Sequence, residues 1–246
     1  MEYSFFDMNC SIGGKNVLVP GVCYEKDSVK KTLESINVKR AFCSHNGAAL
    51  NGDFESNRIL NKEIGNDQFF LPSYTLIVNN GKENAVEEFE KILKEDNVKL
   101  MNINNLIQGY SLDLFTMSDY FDVMDSLSLC VNIPFGCVSD GWLDEVLSCY
   151  KNMNIILNSY GFTNRINVRK LMKKHNNFIL DTTYGITEGI ESIVNEFGSE
   201  RIVFASYAPE TSPLGFAGRV ILSSLSREAK DNIAYKNAQR LTGEVL

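Results

Sequence analysis

The sequence alternates short, continuously apolar runs with amphipathic runs of helical period, and this alternation constrains the fold more than any other feature. Continuous hydrophobicity is typical of strands covered on both faces, as in parallel sheets. The candidate strands are Tyr3–Asp7, Arg40–Ser44, Phe69–Val78, Val98–Ile103, Leu127–Ile133, Asn154–Asn158, Phe178–Thr182 and Ile202–Ser206. Helices are predicted over Asp27–Ile36, Asn84–Leu93, Asp140–Tyr150, Val168–His175, Ile186–Phe197 and Gly215–Leu241, with Ser139 and Ser226 as N-caps.

Eight strand–helix units in 246 residues correspond to about 31 residues per unit. That is the length of one βαβ step, and eight such steps close a barrel of about 250 residues. The predicted fold class is therefore α/β, a single (β/α)8 TIM barrel that occupies residues 1–246 as one domain. An open, doubly wound sheet is the rival, because the pattern alone does not show closure. No Gly-rich G-x-G-x-x-G turn follows the first strand to support that rival.

Charge and cysteine usage narrow the class of function. The net charge is −7 and the Lys and Arg residues form no extended cluster, which argues against nucleic acid and anionic membranes as partners. The N-terminal residues lack the features of a signal peptide, and no apolar run approaches the roughly 20 residues of a membrane helix. The six cysteines form no C-x-x-C pair, so reduced thiols and a cytoplasmic location are expected.

Four segments carry a resemblance to a known family. They are Asp7-Met8-Asn9-Cys10-Ser11 at the first strand, Ile179-Leu180-Asp181-Thr182-Thr183, the run from Phe197 to Ser206, and Lys236-Asn237-Ala238-Gln239-Arg240-Leu241 near the end. In this order and spacing they resemble the amidohydrolase-related branch of the amidohydrolase superfamily. The resemblance implies a metal-dependent-hydrolase-like barrel with its site at the carboxyl ends of the strands.

The same resemblance implies five metal-ligand positions, four histidines and one aspartate. These positions are occupied here by Asn9, Ser11, Asn132, Ser159 and Tyr207. None offers the imidazole or carboxylate on which zinc and related ions depend. No metal or other cofactor is therefore expected, and without a metal a water keeps its pKa near 15.7 rather than about 7. The five positions are predicted to converge at one end of the barrel.

The candidate catalytic residues are Tyr207, His45 and Lys99, as acid, base and electrostatic group. Tyr207 is a poor base at neutral pH but can donate a hydrogen bond to an oxyanion. His45 could form a thiolate pair with Cys43, although a buried thiol beside a loop histidine is the simpler interpretation. The candidate ligand-binding residues are Asn9, Ser11, Asn132, Ser159 and Arg165.

Three functions stay open at this point. In the first, a hydrolase-family member retains metal-independent chemistry on a small carbonyl or ester substrate. In the second, which the residues favour, a metal-free barrel with a degenerate metal site binds a small polar molecule at its carboxyl-end mouth or serves as a non-catalytic pseudoenzyme partner. In the third, a metalloenzyme uses a rearranged ligand set of Cys10, Cys43, His45 and Asp181. The sequence leaves the oligomeric state open, a homo-oligomer included.

Overall fold

Eight parallel strands form one sheet. In this computed structural model, residues 3–15, 19–50, 53–79, 81–103, 109–134, 137–158, 161–162, 166–185 and 189–246 are described. The strands are β1 (Phe5–Ile12), β2 (Val38–His45), β3 (Phe70–Thr75), β4 (Leu100–Asn102), β5 (Cys130–Pro134), β6 (Asn154–Asn158), β7 (Gly161–Phe162), β8 (Phe178–Asp181), β9 (Tyr184–Gly185) and β10 (Ile202–Val203). The order in the large sheet is β1-β2-β3-β4-β5-β6-β8-β10, and β7 pairs with β9 separately.

The residues after β10 close the sheet onto β1. The Met8 N–H donates to the carbonyl of Phe204, and the Tyr207 N–H donates to the carbonyl of Asn9, each at 2.9 Å. One step further along, the Ser11 N–H donates to the carbonyl of Ala208, also at 2.9 Å. These parallel bonds join the first and last strands, so the predicted TIM barrel is confirmed and the open sheet is excluded.

Helices follow most of the strands on the outside of the barrel. They are α1 (Lys26–Ser35), α2 (Arg58–Ile64), α3 (Ala85–Glu95), α4 (Leu114–Ser126), α5 (Asp140–Cys149), α6 (Ile166–Lys174), α7 (Ile190–Phe197), α8 (Pro213–Ile221), α9 (Arg227–Asp231) and α10 (Asn237–Thr242). The predicted N-caps are confirmed, because Ser139 and Ser226 each accept a backbone N–H bond at 3.2 Å. No helix was predicted at α2 or α4. No helix in the described part of the chain has both the length and the apolarity to cross a bilayer.

The barrel interior changes from apolar to polar towards the carboxyl ends of the strands. Its lower layer contains fully buried side chains such as Leu100, Cys130 and Ile156. Burying each large apolar side chain of this kind contributes roughly 1.5–3 kcal/mol. Side chains two positions apart on a strand point the same way. The next inward side chains on these strands are therefore Asn102, Asn132 and Asn158, which places a polar layer above the apolar one.

Candidate ligand site at the carboxyl end of the barrel

The polar layer surrounds a cavity of about 380 Å³, at the small end of the range typical of ligand pockets. Its lining includes many neutral amide and hydroxyl side chains, among them Asn9, Ser11, Asn102, Asn132, Asn158 and Tyr207. Cys10, Leu50, Ile103 and Pro134 supply apolar surface around them. A cavity with this lining can bind a small organic molecule through several hydrogen bonds.

The structure brings together most of the residues singled out from the sequence. Asn9, Ser11, Asn132 and Tyr207 line the cavity, and so does His45. Ser159 and Arg165 lie outside the described residues.

Lys99 does not join this group, contrary to its assignment as a catalytic candidate. It immediately precedes β4, and its carbonyl accepts the Cys130 N–H at 3.0 Å. In parallel strands that position lies at the amino end of the barrel, opposite the cavity. Lys99 is also the second residue of the predicted strand Val98–Ile103, so the direction of the chain alone assigns it to the amino end.

Asn132 connects three elements of the cavity floor. Its Nδ2 donates to the Met8 carbonyl and to Asn102 Oδ1, both at 3.1 Å. Asn102 is the register partner of Asn132 on the neighbouring strand, and its own amide donates to Ser73 Oγ. A backbone carbonyl only accepts hydrogen bonds, so the atom of Asn132 that faces Met8 must be Nδ2. This contact fixes the orientation of the amide.

The other end of the same amide has no protein partner. Asn132 is only 2% exposed, and its Oδ1 accepts no hydrogen bond from the described residues. An acceptor left unpaired in a dry site costs about 1–3 kcal/mol. Asn132 lines the cavity, and Oδ1 is the one polar atom of its amide that has no hydrogen bond among the described residues.

His45 lines the cavity, but both of its ring nitrogens are engaged within the protein. Nδ1 accepts the Gly47 N–H at 3.0 Å, and Nε2 lies 2.9 Å from Glu63 Oε2 on α2. Nδ1 thus has no proton, and Nε2 carries the hydrogen that Glu63 accepts. This arrangement leaves no ring nitrogen for a general base or for a thiolate pair with Cys43, whose thiol donates to the Ser44 carbonyl.

Tyr207 has an unusual backbone conformation at the mouth of the cavity. Its φ is +57°, in the left-handed region that a bulky residue rarely adopts. Its carbonyl accepts the N–H groups of Glu210 at 3.1 Å and Thr211 at 3.3 Å, which define the turn. Burial raises the pKa of the phenol, and the nearby Asp181 and Cys137 raise it further. The hydroxyl is therefore protonated at neutral pH and suits a hydrogen-bond donor.

Asp7 orients the segment that leads to Tyr207. The fully buried Asp7 carboxylate accepts the Ser206 N–H at 2.9 Å and the Asn9 N–H at 3.0 Å, and the Ser206 hydroxyl also donates to it. Burial raises the pKa of Asp7 to about 7, against the lowering effect of these hydrogen bonds. Since Asp7 is not among the residues that line the cavity, its role is to orient them.

An ion pair lies at the rim of the cavity. The ammonium of Lys15 bonds to the carboxylate of Glu210 in the turn that follows Tyr207. Both side chains are about 30% exposed and both line the cavity. Burial lowers the pKa of Lys15. Because the two charges neutralise each other, the rim adds little net charge to the neutral floor.

The residues present do not fit the divalent metal that the barrel family implies. Amide and hydroxyl groups occupy the positions at the strand ends, and such a site would need imidazole or carboxylate donors. Within the described residues, no three His, Cys, Asp or Glu side chains lie close enough to hold a metal ion. The rearranged ligand set of Cys10, Cys43, His45 and Asp181 does not assemble, so that hypothesis is wrong for this structure.

Several residues of the site were missed or left undecided by the sequence. The sequence predicts Asn158 and Thr75 only as parts of strands, and Asn102 as the start of an Asn-rich stretch that either presents amides to a ligand or forms a turn. The rim pair of Lys15 and Glu210 was not predicted. The sequence does contain a signal for the asparagines. In three strands an apolar residue is followed two positions later, on the same face, by asparagine: Leu100-Met101-Asn102, Cys130-Val131-Asn132 and Ile156-Leu157-Asn158.

Comparison with known proteins gives structural but not sequence matches. No protein-family model and no curated protein matches the chain. A 2,6-dihydroxybenzoate decarboxylase complexed with 2,6-dihydroxybenzoate matches with a TM-score of 0.77 and 15% identity, over 98% of this chain and 99% of that one. A dihydroxybenzoic acid decarboxylase from a Polaromonas species, with bound manganese and the inhibitor 2-nitroresorcinol, matches with a TM-score of 0.76 and 16% identity, over 98% and 97%.

A third solved structure is a putative amidohydrolase from Staphylococcus aureus, with a TM-score of 0.74 and 17% identity over 98% of this chain and 100% of that one. At such low identity, these matches establish the fold and leave the activity open. The barrel fold that the sequence resemblance implies is confirmed by these matches. The chain folds as the TIM barrel that these decarboxylases and the Staphylococcus protein share.

Proposed function

We propose that this barrel binds a small polar organic molecule at its carboxyl end, through hydrogen bonds and without a metal ion. The observation that carries the proposal is the buried Asn132 Oδ1, an acceptor without a partner among the described residues, at the floor of a 380 Å³ cavity. A metal-free site recognises its ligand through placed donors and acceptors in an otherwise apolar enclosure. The neutral polar layer of this barrel supplies such groups.

Binding is favoured over catalysis because the cavity offers an acid, while its described lining lacks a free base. Tyr207 is protonated at neutral pH and can polarise a carbonyl group, which is the contribution a hydrolase-like reaction would require. The ring nitrogens of His45 are both engaged, and Lys99 lies at the other end of the barrel. There are therefore two alternatives. One is a hydrolase that uses metal-independent chemistry, and the other is a pseudoenzyme partner in a complex.

The experiment combines metal analysis with ligand screening on the purified protein. We expect less than stoichiometric zinc, iron or manganese by elemental analysis. We also expect a rise in melting temperature with at least one small phenol, amide or polyol, and the same rise after treatment with EDTA. Resorcinol belongs in the panel because a structural neighbour binds 2-nitroresorcinol. Hydrolysis of ester or amide probes, measured in the same samples, would favour the catalytic alternative.

Two variants serve as controls in the screen. Asn132→Leu should abolish the ligand-induced rise, whereas Lys99→Ala, at the opposite end of the barrel, should retain it. A stoichiometric metal whose removal abolishes binding would contradict the proposal. So would a ligand response that is equal in wild type and Asn132→Leu.

A further inference from the structure

We infer that the head group bound at the floor of the cavity is uncharged and carries an N–H or O–H donor, as in carboxamides, ureas, alcohols and phenols. Carboxylates and phosphates would be rejected at this position. The inference rests on the proposed function and adds the chemical class of the ligand to it. Three features of the described residues support it: the fixed direction of one amide, the neutrality of the floor, and the pairing of the nearest charges.

The direction of the Asn132 amide defines what the ligand must supply. Both hydrogens of Nδ2 are used, on the Met8 carbonyl and on Asn102 Oδ1, so Asn132 has no donor left for a ligand. What remains is Oδ1, which is buried and only accepts hydrogen bonds. A carboxylate at neutral pH also only accepts, and two acceptors facing each other repel. A hydroxyl or an amide N–H completes the network instead.

Among the described residues, the floor has no charge with which to compensate an anion. Asn132 bonds to Asn102, whose amide donates to the Ser73 hydroxyl, so the chain of hydrogen bonds that runs across the floor is neutral throughout. Transfer of an ionised carboxylate into such surroundings loses its hydration without gaining a counter-ion. The same transfer costs an amide or hydroxyl far less once its hydrogen bonds are made.

The ionisable side chains of the described lining already have partners of their own. Lys15 is paired with Glu210 at the rim, and His45 bonds to Glu63 on α2. An anion that recruited Lys15 would have to displace a carboxylate already in place, with no net gain in ion pairs. These pairs therefore preserve the selectivity that the floor defines.

The test compares pairs of molecules that differ only in the head group, which is a neutral carboxamide with N–H donors in one and a carboxylate without donors in the other. We suggest benzamide against benzoate, and glycolamide against glycolate, titrated into the full-length protein in the presence of EDTA. Selective ¹⁵N labelling of asparagine gives a side-chain amide signal for Asn132, which is assigned by its absence from Asn132→Leu. Asn132→Ser, a smaller polar replacement, provides the assignment if the leucine variant does not fold.

The expected result is that each amide shifts the Asn132 signal and binds at least about tenfold more tightly than its acid, a difference of about 1.4 kcal/mol. If an acid shifts this signal and binds as tightly as its amide, the inference is overturned, while the proposed metal-free site stands. If none of the four probes shifts any cavity asparagine signal at millimolar concentration, the proposed function itself fails, and the inference falls with it.

Discussion

The carboxylate of Asp7 accepts hydrogen bonds from both the backbone N–H and the hydroxyl of Ser206, 199 residues further along the chain. The two residues lie on the first strand and just after the last one, at the seam where the barrel closes. Asp7 also accepts the Asn9 N–H and therefore holds both sides of the seam. A fully buried carboxylate at this position makes barrel closure sensitive to pH.

The first prediction concerns this pH dependence. The pKa of Asp7 is raised to about 7 in the folded protein from an ordinary value of 3.8, so the folded state binds the proton more tightly than the unfolded state. Protonated Asp7 therefore stabilises the folded state; this stabilisation is complete below about pH 4 and is lost as the pH rises through about 7. Between about pH 5.5 and pH 8.5, urea unfolding should show a loss of about 2 kcal/mol from this residue.

Asp7→Asn is the control for the pH prediction, because it keeps the shape of the side chain and removes the titration. Between about pH 5.5 and pH 8.5, the unfolding free energy of this variant should not show the loss of about 2 kcal/mol that is expected for wild type. Parallel pH profiles for the two proteins would show that Asp7 does not titrate in this range.

The second prediction uses the backbone of Tyr207. At a φ of +57°, a residue with a Cβ pays a steric cost of about 1–2 kcal/mol that glycine avoids. Of the two variants, Tyr207→Gly should therefore be more stable to urea than Tyr207→Ala by about 1 kcal/mol.

The matched comparison for Tyr207 is at Phe115, an almost fully exposed residue in α4. There the order should reverse, with Phe115→Ala more stable than Phe115→Gly, because glycine weakens an ordinary helix. If Tyr207→Ala is more stable than Tyr207→Gly, as expected at Phe115, then Tyr207 does not occupy the left-handed region in solution.

The third prediction compares two buried tyrosine hydroxyls. Tyr74 Oη donates to Asp96 at 2.9 Å and accepts from Asn61 at 2.6 Å, whereas the hydroxyl of Tyr24 has no partner among the described residues. Tyr74→Phe should lower the unfolding free energy by about 1–2 kcal/mol, and Tyr24→Phe should leave it unchanged or raise it slightly. Thermal and urea unfolding of both variants would measure this. A larger loss for Tyr24→Phe would contradict the assigned hydrogen bonds.

The fourth prediction concerns the two serines that precede α8 and α9. The Ser226 hydroxyl accepts the Ala229 N–H at 3.2 Å, while Ser212 occupies the same position before α8 without a side-chain bond. Ser226→Ala should cost about 1 kcal/mol in unfolding free energy, and Ser212→Ala only a few tenths. Equal losses for the two variants would show that the cap bond of Ser226 adds nothing in solution.

The barrel was predictable because its strands are buried on both faces, and burial of this kind leaves a continuous apolar run such as Asn154–Asn158. Helix α4 was not predicted although Met117, Tyr120, Phe121 and Met124 recur at the spacing of one helical face, because the apolar Phe115 and Val123 lie away from that face and weaken the period. Strand β1 was predicted to end at Asp7, although it continues to Ile12 through an irregularity between Asp7 and Cys10. An irregular register of this kind leaves no mark in the hydrophobic pattern.

The candidate site was only partly predictable, because its geometry depends on register. Tyr207 and Asn132 followed from the family resemblance, which aligns them with ligand positions at strand ends. The contact between Asn102 and Asn132 depends on the alignment of β4 with β5, which no local pattern encodes. The failure of Lys99 has a different origin, because a residue at the start of a parallel strand lies at the amino end of the barrel, opposite the predicted mouth. The pairing of Lys15 with Glu210 joins residues 195 positions apart in the sequence.

The closing seam also determines when during synthesis the cavity can exist. Asn132 needs the Met8 carbonyl, and Asn9 and Ser11 need the bonds of Tyr207 and Ala208 to complete their strand pairing. A nascent chain on the ribosome therefore has no finished pocket until Ala208 has emerged. A ligand of this pocket would then stabilise the completed barrel by mass action, without guiding the earlier steps of its folding.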